Sequence, residues 1–121
     1  MEMIEFILNA GACITSLNVI EKRGRVRWMD RGPSVNPADN GWRIFSELDT
    51  SEYLSDPNNM VAADFNAVCN IEPALIGIYD FPMGSQLEIV RHPDGRIAIV
   101  DSRTGREIPR EEFYVPEAFR R

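Results

Sequence analysis

The most regular patterning in the chain lies toward its C-terminal end. In residues 85–91, Leu87 and Ile89 alternate with Glu88 and Val90; in residues 96–101, Ile97 and Ile99 alternate with Ala98 and Val100. A two-residue period sends successive side chains to opposite faces, so both segments are predicted strands. His92-Pro93-Asp94-Gly95 between them predicts a tight turn, with proline presetting φ and glycine free to turn left-handed. Residues 102–105 read as a second turn, after which Arg106-Glu107-Ile108 is expected to return as a third strand. Further back, residues 3–8 place Ile4, Phe6 and Leu8 against Glu5 and Ile7, again a predicted strand, which Asn9-Ala10-Gly11 breaks. Residues 12–20 read as a second extended segment, with Cys13, Ile14, Leu17, Val19 and Ile20 as its apolar residues, closed by the polar turn Glu21-Lys22-Arg23-Gly24. Residues 25–30 alternate with Val26 and Trp28 on one side and Arg25, Arg27 and Met29 on the other, which predicts a strand.

Residues 40–57 carry a turn, a strand and a short helix. Asn40-Gly41 is a turn pair, because both residues tolerate positive φ. Trp42, Ile44 and Phe45 follow as a short apolar strand. Asp49 is placed to cap a helix, with Glu52 reaching back to its N–H in a capping box. Asp56-Pro57 stops that helix, since a residue before proline avoids the α region. After the polar break Asn58-Asn59, Phe65, Val68 and Cys69 recur at helical spacing behind Asp64, a candidate N-cap. Pro73 opens another helical segment on Leu75, Ile78 and Tyr79, weakened by Gly77. Phe81-Pro82-Met83-Gly84 then turns the chain. Residues 31–41, with Gly32, Pro33, Pro37 and Gly41, are long for a hairpin loop. Such a connection is either functional or mobile, and its polar residues form no constellation that favours function.

These elements predict a single α+β domain over residues 1–121: a mainly antiparallel sheet with two or three short helices. Within it, residues 85–101 form a C-terminal hairpin, and residues 109–121 pack through Phe113, Tyr114, Val115 and Phe119 before fraying at Arg120-Arg121. The expected core aromatics are Trp28, Trp42, Phe45 and Tyr53. Trp28 and Trp42 are expected to be largely buried on adjacent antiparallel strands, because tryptophan has the most apolar area to bury. The competing reading of both rings is ligand stacking.

Charge changes the picture more than composition does. At 121 residues, 44% hydrophobic and 26% charged, the chain has the makeup of an ordinary globular domain. Its net charge of −6 is unevenly spread. Residues 44–90 contain no Lys or Arg and eight acids: Glu47, Asp49, Glu52, Asp56, Asp64, Glu72, Asp80 and Glu88. Residues 21–43 hold six bases against three acids. An acidic middle argues against nucleic acid as the main ligand and is compatible with a basic protein partner. The plainer reading is a solvated face. Asp49, Glu52 and Asp56 fall near one helix face and repel one another by a few tenths of a kcal/mol per pair. With Glu47 they are the candidate partner-binding residues.

No constellation for chemistry stands out. His92 is the only histidine and lies in a turn. A nucleophile pair with Cys13 or Cys69 would need an exposed thiol and a third orienting group. Two cysteines among apolar neighbours read as reduced, buried thiols rather than a disulfide framework. Cys13, Cys69 and His92 are each expected to be dispensable. One histidine without a cysteine cluster does not fit the usual zinc sites, and the acids match no EF-hand spacing. No phosphate-binding glycine loop or nucleophile elbow occurs. No catalytic residue, metal or cofactor is therefore expected, nor a membrane span. Acids near the N-terminus, where a signal peptide carries positive charge, point to the cytoplasm.

Several short runs carry a family resemblance in their order and spacing. They are Cys13-Ile14-Thr15-Ser16, Val26-Arg27-Trp28-Met29-Asp30-Arg31, and Asn40-Gly41-Trp42-Arg43-Ile44-Phe45. Glu52-Tyr53-Leu54 with Asp56-Pro57-Asn58, and Phe81-Pro82-Met83-Gly84-Ser85, complete the set. From residue 13 to about residue 88 the chain resembles the DUF2185 family, also described as the Imm33 immunity-protein type. It departs from the family at Ser46-Glu47-Leu48-Asp49, where a Ser-Gly-Asp-Glu-like turn is usual. The resemblance implies an α+β fold and the role of an antidote that binds and neutralises a bacterial toxin, and brings no catalytic residues. The alternative is a stand-alone binding or regulatory domain, including a self-associating one. The partner's identity and the oligomeric state are not legible.

Overall fold

The computed structural model describes residues 3–120. Six strands form one mixed sheet: β1 Ala12–Ser16, β2 Val26–Arg31, β3 Asp39–Ser46, β4 Met60–Asp64, β5 Gln86–Arg91 and β6 Ile97–Asp101. Their order across the sheet is β4-β1-β3-β2-β5-β6. Only β1 and β3 run parallel; the other neighbours are antiparallel. Three short α-helices, α1 Leu17–Ile20, α2 Ser51–Leu54 and α3 Phe65–Ile71, and a 3-10 helix at Pro73–Ile78 complete the α+β fold that the patterning predicts. Val19, Phe65, Val68, Leu75 and Ile78 from the helices meet Cys13, Met29, Trp42, Ile44 and Leu87 from the sheet in one buried cluster.

The strongly patterned hairpin β5–β6 forms as expected, because its pairing is local. Asp64 caps α3, accepting hydrogen bonds from Asn66 N–H (2.8 Å) and Ala67 N–H (3.4 Å). Elsewhere distant partners override local pattern. Residues 3–8 join no strand, and the chain already bends at Ile7 and turns at Leu8. Phe6 and Ile7 N–H both donate to Asn66 Oδ1 (3.0 Å each), and Asn66 Nδ2 donates back to Ile7 C=O (2.8 Å). Asn70, one helical turn on, treats Ile4 in the same way. Two side-chain amides thus satisfy the backbone that a neighbouring strand would otherwise serve. The second predicted extended segment stops at Ser16, where α1 begins. β4 is a strand that its own small residues did not announce.

Asn40-Gly41 lies inside β3 rather than in a turn. Ala12 faces Asp39 and Ile14 faces Arg43, so β3 bulges between these pairings. Gly41 makes the bulge with φ +89°, and a Cβ there would lie 2.3 Å from Gly32 C=O. The preceding connection is anchored to β3 by hydrogen bonds. Asp39 accepts hydrogen bonds from Val35 N–H (2.8 Å) and Gly41 N–H (2.9 Å), and Ser34 Oγ donates to Asp39 C=O (2.6 Å). α2 is capped by Thr50, whose Oγ1 accepts from Tyr53 N–H (3.1 Å), and not by Asp49. Residues 106–108 make a single bridge, Glu107 to Val100, in place of a third strand.

The aromatics divide between the two faces of the sheet. Trp42 is fully buried, and its indole N–H donates to Tyr79 C=O (3.0 Å). Trp28, Phe45 and Tyr53 are only half-buried. The register of β2 against β3 shifts between Val26 and Trp28. Val26 and Met29 therefore both turn inward, while Trp28 pairs with Phe45 on the other face, with the Arg27 guanidinium 4.5 Å from the ring centroid. The two tryptophans do sit on adjacent antiparallel strands, but Trp28 is not a core residue.

Candidate protein-binding surface

The candidate residues lie between the end of β3 and the end of β4, and the fold treats them differently. Val26 pairs with Ser46, so Glu47 arrives next to Arg25 and its Oε2 accepts from Arg25 N–H (2.9 Å). Glu47 shares a cavity of about 520 Å³ with Lys22, Arg23 and Arg25. A span without bases in sequence is therefore not without bases in space at this point. Asp49 is half-buried and structural: its carboxylate accepts from Ser46 N–H (2.7 Å) and Asn18 Nδ2 (2.8 Å). Glu52 and Asp56 are exposed, Glu52 on α2 and Asp56 just beyond it. Asp56 accepts from Asn58 N–H (2.9 Å) and so opens the 3-10 turn Pro57–Asn59. Asp64, also exposed, closes β4.

Ion pairing separates these acids from two of the other three in the base-free span; the third, Asp80, also joins no ion pair among the described residues. Glu72 pairs with Arg91 (2.8 Å) and Glu88 with Arg27 (2.9 Å). Among the described residues no ion pair involves Glu47, Asp49, Glu52, Asp56 or Asp64. Arg23 reaches α2 only through the Tyr53 hydroxyl, at 3.5 Å.

β4 adds a feature that sequence reasoning missed: it is an edge strand. Phe65 N–H donates to Gly11 C=O (2.9 Å), which sets the phase of the β1–β4 ladder. Hydrogen-bonded positions of an antiparallel pair recur at every second residue. Val61 and Ala63 thus face their backbone groups toward Thr15 and Cys13, while Ala62 and Asp64 N–H point away from the sheet. Ala12 obeys the same phase, sending its N–H to Ala38 C=O (2.8 Å) on the β3 side. At the opposite edge residues 106–108 cover the end of β6, through Ile108 N–H on Ile99 C=O and Asp101 N–H on Arg106 C=O (2.8 Å each), while Ile97 N–H stays on the open side. The run Met60-Val61-Ala62-Ala63-Asp64 has no lysine or proline to mark it as an edge.

Of the residues considered for chemistry, Cys13 lies buried on β1 opposite Ala63 of β4, Cys69 lies buried on α3, and His92 lies in the β5–β6 turn. Burial pushes the Cys13 and Cys69 thiols up to about 12 each, so neither is a nucleophile near neutral pH. His92 shapes the β5–β6 turn, its N–H donating to Arg96 C=O (2.8 Å). Among the described residues no three His, Cys, Asp or Glu side chains gather as metal ligands would. Among the described residues no helix is long and apolar enough to cross a membrane.

A family model for the immunity protein Imm33 domain matches residues 13–100. Comparison with curated proteins and with solved structures finds no match. The matched region runs from β1 into β6, takes in all six strands and includes every candidate residue on the acidic surface. This chain belongs to the Imm33 immunity protein domain family.

Proposed function

We propose that this protein is a non-enzymatic immunity-type antidote that binds and neutralises a cognate bacterial toxin, and that the toxin's facing surface is basic. Family membership supports the class of partner. The observation that carries the surface is the set of carboxylates from Glu47 to Asp64 that, among the described residues, no Lys or Arg neutralises in an ion pair. Glu52 and Asp56 stand at its exposed centre; Glu47 is softened by Arg25, and Asp49 serves the fold. Such a patch draws in a basic partner and speeds encounter, with an effect that falls as salt screens it over about 8 Å.

The test uses the toxin captured from the source cell on the tagged protein. Glu52→Lys combined with Asp56→Asn changes the charge while leaving an acceptor for Asn58 N–H. Association is expected to slow by about tenfold at physiological salt, and the wild-type rate to fall as salt rises. The melting temperature is expected to stay nearly constant. Unchanged association kinetics, together with a wild-type rate indifferent to salt, would leave these carboxylates as a solvated face.

A further inference from the structure

We propose that the free edge of β4 receives an extended, basic segment of the partner as a seventh strand; this rests on the protein-binding reading above and names its mode of contact. The first argument is backbone accounting. Ala62 and Asp64 N–H point out of the sheet and meet no acceptor among the described residues. A row of such groups is a template for another strand. Met60 N–H is already taken by Pro57 C=O, so the template is short and centred on Ala62. The second argument is access. Ala62 is exposed, and alanines at positions 62 and 63 put little side chain in the way of an incoming backbone. The β6 edge is partly covered, residues 106–108 taking Asp101 N–H and Ile99 C=O, whereas β4 has no such segment beside it among the described residues.

The third argument selects the occupant. Asp64 ends the strand, and Asp56 stands before it across the 3-10 turn; neither is ion-paired among the described residues. Two copies of this chain meeting edge to edge would bring these carboxylates together. A segment alternating basic and apolar side chains would instead set its cations beside them while its backbone serves Ala62 and Asp64. In the chain α2 leads through the 3-10 turn Pro57–Asn59 directly into β4, so Glu52 and Asp56 are the acids that precede the edge.

The probe is a short peptide alternating lysine and valine, with a glutamate–valine peptide as control. Hydrogen exchange by NMR is expected to slow at the Ala62 and Asp64 amides, and not on β6, when the lysine peptide is added. Ala62→Pro removes the outward donor and spares the β1 ladder, since proline is tolerated where an edge N–H faces solvent. It is expected to weaken peptide binding roughly tenfold, the worth of a hydrogen bond or two. Ala62→Lys, which keeps the N–H and adds a repelling charge, is the second variant and is expected to act in the same direction. Exchange slowed only elsewhere, equal binding of the glutamate peptide, or both variants binding as wild type would overturn the proposal. So would a sedimenting dimer that Ala62→Pro dissolves, because the edge would then belong to a second copy. With the captured toxin the two readings separate. If Glu52→Lys with Asp56→Asn slows association and Ala62→Pro changes nothing, strand addition fails and the acidic surface stands. The reverse pattern removes the acidic surface and keeps the edge.

Discussion

Asp39 shows how much one side chain carries in this fold. It is buried, and its carboxylate bridges the Arg43 guanidinium (2.9 Å), Val35 N–H and Gly41 N–H at the β3 bulge. The Arg43 hydrogen bond, the largest influence, holds its carboxyl well below the usual carboxylate range; burial opposes this, and the two N–H donors add to it. Because the folded carboxyl is more acidic than the unfolded one, its stabilisation is complete above the unfolded value of about 4 and is lost as pH falls below it. Asp39→Asn is expected to cost about 3 kcal/mol at pH 7, since it leaves Arg43 without its charge partner. It is also expected to flatten the stability loss between pH 4 and pH 2, which denaturant titrations of both proteins would measure. A variant as acid-sensitive as wild type would deny Asp39 this role. None of this was legible in sequence: Asp39 read as one polar residue in a loop. The tryptophans teach the same lesson. Their size marked both as core, yet the register shift between Val26 and Trp28 turned one of them outward.

At the scale of elements, legibility followed the range of the interactions. The β5–β6 hairpin and the Asp64 cap rest on neighbours a few residues apart, and both were readable. β4 was not, because a strand of small residues is held by β1, which precedes it by more than forty residues. The N-terminal segment failed in the opposite sense. Its alternation is real, but Asn66 and Asn70 on α3 take the place of a partner strand. Asn66→Ala is therefore expected to release the segment. The Phe6 and Ile7 amides should then exchange far faster with solvent while β5 and β6 amides are unchanged, and stability should fall by about 1–3 kcal/mol as buried backbone loses its partners. Protection retained at Phe6 and Ile7 would mean that apolar packing, through Ile7 above all, holds the segment without the amide.

For the whole molecule, the two thiols report on integrity. Cys13 and Cys69 are free, buried and pushed up to about 12 by that burial. A thiol reagent at pH 8 is expected to leave the native protein untouched and to label both cysteines at the rate of global unfolding, as mass spectrometry would follow. Fast labelling of either without loss of structure would point to a local opening near that cysteine. The candidate surface was half legible at this scale. Its acidity stood in the sequence, whereas the approach of Arg25 to Glu47 and the open edge beside Asp64 came from how strands were arranged. That arrangement also sets a timetable. β1 lies between β3 and β4, and both follow it in the chain. On a ribosome adding about 5–20 residues per second, residues 12–16 emerge roughly 3–10 s before β4 is complete. Until then β1 has no partner on that side, and Cys13 has no closed interior to hide in. The edge proposed to receive a partner's strand comes into being only with that closure, so a half-made chain lacks it.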